Sequence, residues 1–150
     1  MLSEVYFQEL NHTMIRGSMG QSLTDLWNQF NGESLDKDTL ADRLYKTGTT
    51  VIVAINGSQM IGFVCLSSVS SPITRTEYIE VWALFVSPEA RMNGIGTALI
   101  EQVKKCAPTA SNARFFVSAD TAQISFYQKC GYELSGAIRM TKKCTSTSTH

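Results

Sequence analysis

The stretch Val86-Ser87-Pro88-Glu89-Ala90-Arg91-Met92-Asn93-Gly94-Ile95-Gly96-Thr97 decides how this chain is read. An apolar run ends at Val86, a turn carrying Pro88 follows, and a helix opens near Gly94 with Gly96 close behind. The first N–H groups of a helix have no carbonyl partner inside it, and the positive end of the helix dipole lies beside them. Such a start is an anion site, and glycine lets the backbone approach a phosphate with no Cβ in the way. Arg91, just before the turn, can add a charge-assisted bond to the same anion. The alternative is a glycine-bearing turn with an incidental arginine. Two familiar phosphate motifs are excluded. No G-x-x-x-x-G-K-S/T occurs, and G-x-G-x-x-G fails at Leu99.

Upstream, Glu77 to Val86 is rich in aromatic and β-branched residues and predicts a strand. Val51–Ile55 and Met60–Leu66 flank Asn56-Gly57, a hairpin signal, because both turn residues tolerate positive φ. Val5–Leu10 reads as a first strand. Ser22 and Asp25 are spaced like a capping box ahead of Leu23, Leu26, Trp27 and Phe30, which form one apolar helical face. A second helix spans Asp36 to Lys46, with Leu40 and Leu44 inward and Gly48 ending it.

Downstream, Ile95, Leu99, Val103 and Cys106 form one helical stripe, Lys104 and Lys105 suit its last turn, and Pro108 stops it. Arg114–Ser118 predicts a short buried strand. Asp120 can cap the next helix with Gln123, and Gly131 can close it. Tyr132–Leu134 and Ala137–Lys142 predict two last strands. The order β-α-α-β-β-β-α-β-α-β-β gives an α/β (α+β) domain over residues 1–143, with one mixed, mostly antiparallel sheet and helices on both faces. Residues 144–150 form a polar tail expected to fray.

A chain of 150 residues can bury one sizeable core. Its 13 basic and 13 acidic residues balance, which argues against a nucleic-acid partner but not against a small charged ligand. No apolar run approaches the roughly 18 residues of a membrane span. Met1-Leu2-Ser3-Glu4 does not read as a signal peptide, so the expectation is a cytoplasmic protein away from membranes. Cys65, Cys106, Cys130 and Cys144 form no C-x-x-C pair, and neither His12 nor His150 stands at a ligand spacing from them. Reduced thiols, no metal and no disulfide framework are therefore expected. Cys130 sits at the C-terminal end of its helix, where the dipole disfavours a thiolate, and reads as packing.

Arg91-Met92-Asn93-Gly94-Ile95-Gly96 matches Q/R-x-x-G-x-G/A, and Val86-Ser87-Pro88-Glu89-Ala90 leads into it. This stretch resembles the coenzyme A loop of the GNAT superfamily of N-acetyltransferases. A second block of that family, roughly N-x-x-x-x-x-F/L-Y-x-x-x-G-F/Y, is similar to Asp120 through Phe126-Tyr127 to Gly131-Tyr132, with Asp120 replacing the frequent Asn. The resemblance covers about Val81 to Tyr132 strongly and is loose before Thr50.

The resemblance implies acetyl-CoA as cosubstrate. Its pyrophosphate would sit on Arg91 and the backbone N–H groups of Met92, Asn93, Gly94, Ile95, Gly96 and Thr97. Its pantetheine arm would behave as an added strand, bonding main-chain groups of Leu84, Phe85 and Val86 in a central splay beside Phe115–Ser118. Asp120 would contact the same arm, or act first as a helix cap. N–H groups at a strand bulge near Phe85 or Val86 would polarise the thioester carbonyl. Tyr127 would bind the sulfur and act as the acid; otherwise it packs beside Phe126. Glu80, eleven positions before Arg91, is the candidate base, with ordered water as the alternative and Glu77 a weaker choice.

The implied reaction is acetyl transfer to a primary amine of a small molecule or protein, by direct attack in a ternary complex. Two alternatives stay open. One is a glucosamine-6-phosphate N-acetyltransferase, although Glu80-Val81-Trp82-Ala83 departs from that group's usual run. The other is a non-catalytic acyl-CoA-binding regulatory module. Trp82 suggests an aromatic wall at the acceptor site, or else a core residue. Acceptor choice would fall to Met14–Gly48, which carries no legible motif. A homodimer is possible for such domains, and no residue pattern marks its interface.

Overall fold

The computed structural model describes residues 4–70, 77–105, 114–117 and 124–133. In chain order the elements are β1 (Val5–Leu10), α1 (His12–Arg16), α2 (Gly20–Asn31), α3 (Lys37–Lys46), β2 (Thr50–Asn56), β3 (Gln59–Ser70) and β4 (Glu77–Val86). A 3-10 turn (Pro88–Ala90), α4 (Ile95–Lys105), β5 (Arg114–Val117) and α5 (Ile124–Lys129) follow. The strands form one sheet in the order β1-β2-β3-β4-β5. The first three pairings are antiparallel, and β4 runs parallel to β5. The chain divides into two compact units, Met1–Ser118, which holds the sheet and α1 to α4, and Ala119–His150, which holds α5.

The strand pattern explains the layers. β2 is buried on both faces from Val51 to Ile55, as a central strand between two helical layers must be. Val51, Val53 and Ile55 join Phe63, Cys65, Ala83 and Phe85 in a core closed by Leu23, Leu26 and Trp27 of α2 and Leu40 and Leu44 of α3. The opposite face meets α4, whose Leu99, Ile100 and Val103 are fully buried. Burial pushes the Cys65 thiol well above its ordinary range, so it stays a small apolar filler. Cys65 and Cys130 are buried and in no disulfide.

The structure revises the expected helix starts. A short helix, α1, lies where no helix was predicted. Five residues are too few to show apolar periodicity, and the signal present is Asn11, whose side chain caps the Met14 N–H at 2.8 Å. α2 begins at Gly20, ahead of Ser22, so the predicted capping box is not used. Asp25 instead accepts from the Gln21 side chain at 2.8 Å. The junction with α1 fixes that start, because a Cβ on Gly20 would lie 1.6 Å from the Ile15 carbonyl oxygen. For α3 the reading agrees. Asp36 caps the Thr39 N–H at 2.8 Å, and that bond holds its carboxyl below the usual aspartate range. Gly48, at φ 63°, closes the helix, with its N–H on Tyr45 and the Thr49 N–H on Leu44.

In the β2–β3 hairpin, Asn56 is the last strand residue, paired with Gln59. The two-residue turn is Gly57-Ser58, with positive φ at Gly57 alone, not at Asn56. Of the two last predicted strands, Ala137–Lys142 lies outside the described residues, while Tyr132 and Glu133 carry no strand pairing among them. Cys106, Pro108, Asp120, Gln123 and the tail also lie outside.

Gly62 sets how closely the site-bearing strand can be packed. A Cβ there would stand 2.8 Å from the Phe85 carbonyl oxygen and 3.5 Å from Leu99 Cδ1, against backbone that cannot swing aside. Gly62→Ala is expected to cost about 1–3 kcal/mol in urea unfolding. A loss under about 0.5 kcal/mol would mean that β3 and β4 shift apart freely.

Candidate active site

The loop after β4 is built to present N–H groups. Met92 and Gly94 hold positive φ, 70° and 75°, on either side of Asn93. That alternation turns successive N–H groups into one concavity, the form of an anion nest. Asn93 fastens it, its Nδ2 donating to the Ala90 carbonyl at 3.1 Å and the Arg91 carbonyl at 3.0 Å. The Met92 side chain is fully exposed, so nothing in the protein's packing repays the roughly 1–2 kcal/mol that left-handed backbone costs a residue with a Cβ. α4 then starts, and its first helical bond runs from the Ala98 N–H to the Gly94 carbonyl. The N–H groups of Ile95, Gly96 and Thr97 precede it and have no helical carbonyl to meet.

β4 carries two features that bring chemistry to this loop. The first is an edge that is open among the described residues, where β5 pairs with β4 from Tyr78 to Val81 and β3 follows β4 to Val86. The Ser87 N–H donates to the Ile61 carbonyl at 2.8 Å. By strand alternation Phe85 also turns its peptide groups toward β3, and Leu84 and Val86 turn theirs toward the open edge. The expected set Leu84, Phe85 and Val86 thus separates into two residues that face the edge and one that does not. Consistent with this direction, Arg91 Nε donates to the Val86 carbonyl at 3.0 Å. The Arg91 guanidinium also sits 5.7 Å from the Phe85 ring centre.

The second feature is a bulge, located at Trp82 and not near Phe85 or Val86 as expected. Cys65 pairs with Ala83 and Leu66 with Val81, leaving Trp82 without a partner on β3. An extra residue re-aims its side chain. Trp82 is 40% exposed and meets Trp27 edge-on at 5.8 Å. It is a wall, not a core residue.

That wall bounds a pocket of about 310 Å³ on the α2–α3 face. Trp27, Leu44 and Trp82 supply its apolar lining, and Arg43, Thr47, Thr49 and Ser67 its polar members. Glu80 pairs directly with Ser67, so its half-buried side chain shares the face on which Ser67 lines the pocket. Sequence reading placed acceptor choice in this region and named none of Arg43, Thr47, Thr49 or Ser67. Trp27 was read only as helix core. These positions come together through tertiary packing, and no fixed spacing announces them. The one local signal was Trp82 itself.

In the Ala119–His150 unit, Tyr127 is buried in α5. It contacts Phe126 and Tyr132 edge-on, at 5.1 and 5.8 Å. Gly131, at φ 96°, ends the helix as predicted, with its N–H on Gln128 and the Tyr132 N–H on Tyr127. Glu77 opens β4. Among the described residues no cluster of His, Cys, Asp and Glu could hold a metal, and no helix is long and apolar enough to cross a membrane.

The acetyltransferase (GNAT) domain family matches residues 47–134, more than half of the chain. The chain therefore belongs to the GNAT acetyltransferase domain family. An uncharacterised N-acetyltransferase of Methanocaldococcus jannaschii is 32% identical over 100 residues, which are 61% of this chain and 44% of that protein. N-acetyltransferase 8 of Homo sapiens is 28% identical over 102 residues, 66% of this chain and 45% of that protein. The matched region thus spans less than half the length of these curated relatives. Among solved structures, an aminoglycoside acetyltransferase from an uncultured soil metagenomic sample, in complex with sisomicin, has a TM-score of 0.75 at 15% identity, covering 94% of this chain and 97% of that one. At that identity the likeness is one of fold.

Gly94 is where the loop's backbone conformation can be tested. A Cβ there meets nothing within 4 Å, so only its φ of 75° resists substitution. Gly94→Ala should cost about 1–2 kcal/mol of unfolding free energy. No change would show that the loop readily adopts another conformation.

Proposed function

We propose that this protein transfers an acetyl group from acetyl-CoA to a primary amine by direct attack within a ternary complex. The observation that carries the reading is the open edge of β4 running straight into the nest at Met92–Gly94. An edge of unpaired peptide groups suits a pantetheine arm, whose amides can pair as a strand would. The nest, the α4 start and Arg91 suit a pyrophosphate. The residues present therefore fit the cosubstrate, with Leu84 and Val86 holding the arm and Arg91, Met92, Asn93, Gly94, Ile95, Gly96 and Thr97 holding the phosphates. Asp120 is proposed to contact the same arm.

Bound acetyl-CoA supplies an activated acyl carbon. An alkyl ammonium must first lose a proton, its ordinary pKa lying near 10. Glu80, or a water it orients, takes that proton. The amine nitrogen then bonds to the acyl carbon while the carbon–sulfur bond breaks, and the Tyr127 hydroxyl gives a proton to the leaving sulfur. The proton still carried by the nitrogen passes through water to the Tyr127 oxygen, leaving a neutral amide and a neutral thiol. The family's second block, which includes Tyr127, supports the role of that residue, and Glu80 stands on the face that carries the pocket.

Calorimetric titration with acetyl-CoA, and with free CoA in parallel, should give micromolar binding of both. Arg91→Ala should weaken it by about 1.5–3 kcal/mol, the range for a charge-assisted bond. Tyr127→Phe and Glu80→Gln should keep binding and slow thiol release in an amine screen. Absence of binding would overturn the reading. Binding without turnover of any amine would identify a regulatory acyl-CoA module instead.

A further inference from the structure

The pocket beneath Trp82 has a chemistry that its polar members do not suggest at first sight. Among the described lining residues the cation, Arg43, is already matched, since its Nη1 donates to both oxygens of Glu33, at 3.2 and 3.1 Å. Glu33 also accepts from Trp27 Nε1 at 3.3 Å. The Thr47 hydroxyl meets the Arg43 carbonyl at 2.9 Å and the Thr49 hydroxyl at 2.8 Å. Arg43, Thr47 and Thr49 are thus engaged with one another and with Glu33, which leaves a sugar fewer partners there, and a phosphate would have to displace Glu33 from Arg43. The described lining residues offer a polycation no surplus of negative charge.

What the pocket does offer is two indole surfaces, edge to face, against Leu44. Its volume of about 310 Å³ lies at the small end of the roughly 300–1,000 Å³ usual for ligand sites. Glu80 lies on the same face through its pairing with Ser67 and brings a carboxylate to that side of the sheet. The arrangement is amphipathic, with an aromatic and aliphatic lining and a carboxylate on the same face of the sheet.

We infer that the acceptor is a small primary amine on a short chain from an aromatic ring. The ring packs against the Trp27–Trp82 pair and Leu44, and the ammonium reaches toward Glu80. This rests on the acetyl-transfer reading for its catalytic meaning, but the binding claim stands apart from it. Ring contact with the indoles adds to the area buried, and the ammonium gains from both the carboxylate and the aromatic faces.

The chain's 2 tryptophans both line the pocket, so intrinsic fluorescence reports on it alone. The experiment titrates the full chain with 2-phenylethylamine, n-butylamine, glucosamine 6-phosphate and an aminoglycoside, without and with acetyl-CoA, and follows thiol release in parallel. The expected result is that 2-phenylethylamine perturbs the fluorescence at least about tenfold more tightly than n-butylamine. Trp82→Ala, still reporting through Trp27, should weaken it at least about fivefold, and Trp82→Phe should restore it to within about twofold. Equal binding of the two amines, or no effect of Trp82→Ala in a folded variant, would overturn the inference. Turnover of the phosphorylated sugar or the aminoglycoside without binding of 2-phenylethylamine would also overturn it while leaving acetyl transfer intact. Selective binding of 2-phenylethylamine with no thiol release would support the pocket and count against the transfer reading.

Discussion

The structure depends on where β5 stops pairing with β4. Up to Val81 the strand is held on both edges; beyond it, among the described residues, only β3 remains. A buried or half-buried strand edge with unpaired peptide groups costs free energy unless something satisfies them. Arg91 meets one of these groups, the Val86 carbonyl, and a strand-like ligand could meet the others. The same strand delivers the chain into the nest at Met92–Gly94. The segment proposed to bind an arm and the segment proposed to bind its phosphates are therefore continuous.

The bulge at Trp82 links this edge to the other face of the sheet. One added residue shifts the register between Val81 and Ala83 and turns an indole onto the α2–α3 side. Glu80, just before the bulge, faces the same side as Ser67. On the proposed reading, a single strand presents peptide groups to one ligand and side chains to another, as transfer between two bound molecules requires.

The fold was legible where local chemistry is strong. Glu77–Val86 matched its predicted limits, Asp36 and Gly48 bracketed α3 as their types demand, and Gly131 closed α5. The loop from Arg91 to Thr97 was legible because glycine spacing reflects backbone conformation directly. Tertiary constraints overrode local ones elsewhere. The start of α2 is set by Gly20 against Ile15, and no capping pattern could show it. The bulge position depends on the register with β3, which no periodicity within β4 encodes. The pocket joins Trp27 and Arg43 through Glu33, a contact between separate elements that sequence spacing does not mark.

The central claim is that the open edge of β4 receives the cosubstrate as a strand. Residue-resolved amide exchange, with and without acetyl-CoA, tests it most directly. The account predicts that the Leu84 and Val86 N–H groups slow markedly on binding, while that of Phe85, turned toward β3, is protected in both states. Saturating acetyl-CoA that leaves Leu84 and Val86 unchanged would contradict it.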